Sequence, residues 1–177
     1  MKKVLVLGLA LMMVLSLVSV ASAELLGLGV VTYVDRTADA GEKDGSARVN
    51  TIACTLILDD NKVVKAVQWD TAQTGLGFSK EGKITSDLTQ EIKTKKELGA
   101  DYGMIKASGI GKEWFEQIDA FEQYCVGKTV EEILATPTYT KDDSHPRVAD
   151  TADLKTSVTI DIGHYLDALE KAAANAR

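Results

Sequence analysis

Two histidines and two cysteines in 177 residues leave the chain short of the side chains that ligate transition metals or form dithiol redox centres. Neither Cys54 nor Cys125 has a second ligand at zinc spacing or a CxxC partner, which excludes zinc ribbons and thioredoxin-type dithiols. Two cysteines cannot build a disulfide framework. Each lies in an apolar setting that suits a buried thiol, and pairing between them stays open. His145 precedes Pro146 in a polar loop, and His164 lies in the last helical segment without a second ligand at metal spacing, so no metal site is expected. Gly-x-Ser-x-Gly is missing, and Gly109-Ile-Gly-Lys112 lacks the spacing and hydroxyl of a phosphate-binding loop, which argues against a conventional hydrolase or nucleotidase. Basic charge is also in deficit, with 20 Lys and Arg against 26 Asp and Glu. That balance disfavours nucleic acid and anionic membrane as partners. No internal repeat or low-complexity tract marks a second domain.

What is present begins with Met1-Lys-Lys3, an almost wholly apolar stretch from Val4 to Val20, and the small-x-small ending Val20-Ala-Ser-Ala23. This pattern predicts a secretory signal peptide over residues 1–23, cut near Ala23. The competing reading is an uncleaved anchor, but the stretch is short for a spanning helix of about 20 residues. Cleavage would leave residues 24–177 as a single domain, large enough for a real core, and would take the net charge from −6 to −8. No cysteine follows Ala23 to take a lipid. The mature chain is therefore expected to be exported, without stable membrane insertion.

Gly29 to Asp35 is rich in Val, Thr and Tyr and reads as a strand. Arg48 to Leu58 alternates, with Ile52, Cys54, Leu56 and Leu58 on one face, and Lys62 to Asp70 alternates again through Val63, Val67 and Trp69. The turn Asp59-Asp-Asn61 joins them into a hairpin. Helices are expected over Asp87 to Leu98, over Lys112 to Val126, and from Thr129-Val-Glu-Glu132, a capping-box pattern, through Leu134. A loop with Pro137 and Pro146 leads to a last helix. Strands first and helices later predict an α+β domain, an antiparallel sheet with helices packed on it. Trp114 falls on a helix stripe and reads as core, whereas Trp69, at the end of a strand, reads equally as core or site.

In the last segment Val158, Ile162, Tyr165, Leu166, Leu169 and Ala173 recur at helical spacing, which puts Thr159 in or near a first turn. Unpaired N–H groups and the helix dipole would favour an anion beside its hydroxyl by ~0.3–1 kcal/mol. Gly163, four residues on, would leave space over the threonine. The plainer reading is that Asp153, Thr156 or Ser157 caps the helix and Thr159 has no special role.

Asp153, three residues, then Ser157-Val158-Thr159 resembles the flavinylation signal of the FMN-binding domain family. That family includes the C subunit of the sodium-pumping NADH:quinone reductase and the G subunit of the related ferredoxin-dependent complex. The resemblance to the flavinylated lipoproteins of Gram-positive extracellular electron transfer extends over Asp101-Tyr-Gly-Met104, Ala107-Ser108, Ile110-Gly-Lys-Glu-Trp114, Val126-Gly-Lys-Thr129 and Ser157-Val-Thr-Ile160. Many family members have Gly-Ala where this chain has Ser157-Val158. The resemblance implies an FMN-binding-domain-like fold with FMN joined by a phosphoester to Thr159. Asp153, Ser157 and Val158 would be the signal read by a flavin transferase. Tyr102 and Met104 are candidates to border the flavin ring, with the alternative that they only anchor a loop. The expected function is a secreted electron carrier that exchanges electrons with a membrane or extracytosolic redox partner and is not an enzyme in its own right. The alternatives are a binding module of the same fold without flavin, and a flavin-dependent reductase with its own small substrate.

Overall fold

The computed structural model describes residues 24–177, so the predicted signal peptide lies outside the described residues. Three long strands, β1 (Leu25–Ala38), β2 (Gly45–Leu58) and β3 (Val64–Phe78), form an antiparallel sheet in the order β1-β2-β3. The alternation of β2 sets the core face: Ile52, Cys54, Leu56 and Leu58 all point inward and are buried. The turn into β3 is held by Asp59, whose Oδ1 accepts from Asn61 N and Val63 N, both at 2.9 Å, while Lys62 adopts a positive φ of 61°. Ile57 pairs with Ala66 but Leu58 with Val64, so Lys65 is an extra residue on β3. This bulge shifts the inward phase: Val64, Val67 and Trp69 are buried, and Val63, expected on that face, is only half-buried.

Helices α1 (Lys95–Leu98), α2 (Trp114–Cys125), α3 (Val130–Leu134) and α4 (Gly163–Ala174) accompany the sheet, with a two-stranded ribbon of β4 (Thr138–Tyr139) and β5 (Val148–Ala149) before α4. The fold is α+β, as expected. Thr129 caps α3 in the predicted box: its Oγ1 accepts from Glu132 N and Glu132 Oε2 accepts from Thr129 N. The helix expected over Asp87 to Leu98 is reduced to α1. Its thin stripe has no core to meet, because Leu88 and Ile92 are 66% and 47% exposed, and Asp87 folds a local turn by accepting from Thr89 N and Oγ1.

Helix α4 lies against β1 because both partners are small at the contact. A Cβ on Gly27 would come within 2.1 Å of Ala172 O, and one on Gly29 within 2.0 Å of Ala168 O. Beyond the helix, Arg177 and Leu26 exchange main-chain hydrogen bonds, and Lys171 Nζ donates to Val30 O at 3.0 Å, which occupies part of the β1 edge. The centre of the core is aromatic. Trp69 Nε1 donates to Tyr165 O at 2.9 Å, Trp114 Nε1 donates to Tyr165 Oη at 3.1 Å, and the Trp69 and Phe121 rings stack at 5.1 Å. Both tryptophans are therefore core residues. Cys54 and Cys125 are buried free thiols.

Candidate functional site

Thr159 does not lie in a first helical turn. Residues 152–157 are a series of turns in which Leu154 N and Lys155 N bond to Thr151 O and Val158 N bonds to Leu154 O, and α4 starts only at Gly163. Leu154, Val158 and Ile162 are all buried at four-residue spacing, so consecutive turns reproduce a helical stripe without being a helix. The N–H of Gly163 donates to the Asp161 carboxylate at 2.9 Å, which already supplies negative charge at that helix end. Gly163 does not open space over Thr159 either. A Cβ there would lie 2.3 Å from Arg147 Nε, so the bare α-carbon accommodates the Arg147 guanidinium. Arg147 donates onward to Asp167 at 2.7 Å. Asp167 also reaches His164 Nδ1 at 3.2 Å, a carboxylate neighbour not expected from the sequence, and His164 stacks on Tyr33 at 3.9 Å.

Thr159 is held from another direction. Its N–H donates to Gln117 Oε1 at 2.8 Å and its hydroxyl donates to the same oxygen at 3.2 Å. Gln117, wholly buried on α2, donates through Nε2 to Ser108 Oγ at 3.2 Å and Lys112 O at 3.3 Å. Glu113, at the start of the same helix, accepts from Met104 N at 2.7 Å and Ile105 N at 3.0 Å. The chain from Met104 to Gln117 is thus bonded to the segment ending in Thr159, and the two family-like stretches meet in space. Ser157 Oγ bonds back to the carbonyls of Asp153 and Leu154, Asp153 is exposed, and Val158 is buried.

Tyr102 and Met104 are half-buried and pack against the core. Tyr102 Oη donates to Gln73 Oε1 at 3.0 Å, and burial raises its pKa above the usual tyrosine value. The Lys95 ammonium lies 4.8 Å from the centre of its ring and 5.0 Å from that of Trp114.

A groove of about 510 Å³ borders Thr159, with Tyr139, Val148, Asp150, Lys155 and Val158 among its walls. Lys155 Nζ pairs with Asp150 Oδ1 at 2.8 Å, and that bond raises the lysine pKa. The groove combines the exposed ring of Tyr139, the Lys155–Asp150 ion pair and the half-buried Thr159 hydroxyl, so an aromatic group bearing a phosphate would find a ring to lie on and a cation only in competition with Asp150. A larger hollow, about 710 Å³, lies beside Phe115, Asp119 and Glu122 of α2. There the Lys96 ammonium is tied to both carboxylates, and among the described residues no hydroxyl or thiol lines the space.

Gln117, Tyr139, Asp150 and Lys155 were not singled out by sequence reasoning. Gln117 carried a signal: it occupies a core position of α2, in phase with Trp114, Ile118 and Phe121, where an amide needs partners. The groove walls come from β4, β5 and the turns after them and carried none.

No protein-family model matches the chain, and no solved structure matches it. A chlorophenol reductase of Desulfitobacterium hafniense is 32% identical to it over 122 residues, which covers 60% of this chain and 36% of the reductase. The chain therefore spans little more than a third of that relative's length.

Proposed function

We propose that the chain is an exported electron carrier that holds FMN by a phosphoester to Thr159. The observation that carries this reading is the placement of the Thr159 hydroxyl: half-buried, bonded to Gln117, and on the border of a groove of cofactor size. The likeness to a reductase supports a redox role, and the signal-peptide pattern at residues 1–23 supports export. Bound flavin would supply electron-transfer chemistry that side chains lack.

The residues of this chain would divide the remaining work. Lys155 would exchange its bond to Asp150 for the negative charge of a phosphodiester at Thr159, and Tyr139, exposed at the groove, would present its ring as apolar surface. Covalent attachment has a physical rationale outside the cell, where a dissociable group is lost by dilution. Production together with a flavin transferase and FAD should give a band that stays fluorescent after denaturing electrophoresis, and Thr159→Val should abolish it. A dark wild-type band, in conditions that label a control acceptor, would favour a binding module without flavin.

A further inference from the structure

We infer that Gln117 is the positioning residue for attachment at Thr159; the inference rests on the flavin-carrier reading. In the attachment step the Thr159 Oγ–P bond forms as the pyrophosphate P–O bond of FAD breaks. AMP leaves with the bonding pair, and the hydroxyl proton passes to a base of the transferase or to water. An amide oxygen is too weak a base to take that proton, so Gln117 acts by placement.

The geometry is specific. Oε1 accepts from both the main-chain N–H and the hydroxyl of one residue, which ties the threonine side chain to its own backbone and selects one of three staggered rotamers. The amide cannot turn over without loss, because Nε2 is committed to Ser108 Oγ and Lys112 O, and Ser108 Oγ in turn accepts from Lys112 N at 3.2 Å. The residues concerned are far apart in sequence, 42 positions between Gln117 and Thr159, so tertiary structure and not the local signal aims the hydroxyl. Once the ester has formed, Oγ has no hydrogen to donate, and of the two bonds to Gln117 Oε1 the one from Thr159 N remains.

Gln117 has no exposed surface and cannot touch the transferase, so its effect belongs in kcat and not in KM. The test measures transferase kinetics by intact mass, together with thermal unfolding of each protein. Gln117→Met, which keeps the size and removes the acceptor, should lower kcat at least about tenfold with KM within about twofold. Gln117→Glu, which keeps an acceptor oxygen but gives up the Nε2 donations to Ser108 and Lys112, should load more slowly than wild type and faster than Gln117→Met. Loading of Gln117→Met at the wild-type kcat, or a Gln117→Glu protein that folds but is as slow as Gln117→Met, overturns the inference. Should Gln117→Met not unfold cooperatively, Ser108→Ala decides: it frees one anchor of the amide and should lower kcat about threefold, and an unchanged kcat overturns the inference. Failure of wild type itself to load would count against the carrier reading, which separates the two.

Discussion

Lys95 carries its ammonium into a site where only 8% of the residue is exposed, between the rings of Tyr102 and Trp114. Burial pushes its pKa down to about 8, with the Arg48 charge adding to the effect. Between that value and the ordinary lysine range the unfolded chain holds a proton that the folded chain has lost, so this group's contribution to stability rises with pH. The expected consequence is that Lys95→Met, relative to wild type, is more favourable near pH 7 than near pH 10, by about 1–3 kcal/mol. Thermal melts at the two pH values check this, and comparison with wild type is needed because buried tyrosines and thiols titrate in the same range. A pH-independent difference would contradict the buried-ammonium account. The cysteines give a second residue-scale expectation. Burial pushes Cys125 up to about 12 and Cys54 higher, so neither thiol should react with a maleimide in the folded protein, and both should react in denaturant. Early labelling of either, followed by mass, would show that the core opens there.

At the scale of elements, legibility followed from how much of each signal was local. The central hairpin, α2 and α3 were readable because alternation, a strong stripe and a capping box are contained in a few residues. The Asp87 to Leu98 helix was misread because a stripe forms only where a surface waits for it, and none faces Leu88 or Ile92. The start of α4 was misplaced because turns anchored by Leu154 and Val158 imitate helical spacing. The β3 bulge depends on pairing, which no single strand reveals. The close contact of β1 with α4 likewise appears only when the two are seen together. It predicts that Gly29→Ala drives a methyl into the Ala168 carbonyl and destabilises the protein by roughly 2–4 kcal/mol, whereas Gly41→Ala, with open space around it, costs little. Chemical denaturation of the two variants tests the contrast, and equal losses would refute the packing argument.

Across the whole molecule, the site is an assembly of distant segments. The candidate threonine was legible from a seven-residue pattern, but its amide partner comes from α2 and its groove from the ribbon β4-β5 and the turns after it. The bond between Gln117 and Thr159 joins the stretch around Asp101 to Trp114 to the C-terminal segment, a relation that spacing along the chain cannot express. The anion-friendly helix end expected beside Thr159 was wrong in position: Asp161 satisfies that end, and the lysine that lines the groove, Lys155, is paired with Asp150. The most direct test of the carrier account is peptide mass mapping of protein made with a flavin transferase. The account predicts a gain of one FMN less one water on the peptide containing Thr159, absent in Thr159→Val. A wild-type peptide of unmodified mass, beside a control acceptor that is loaded, would contradict it.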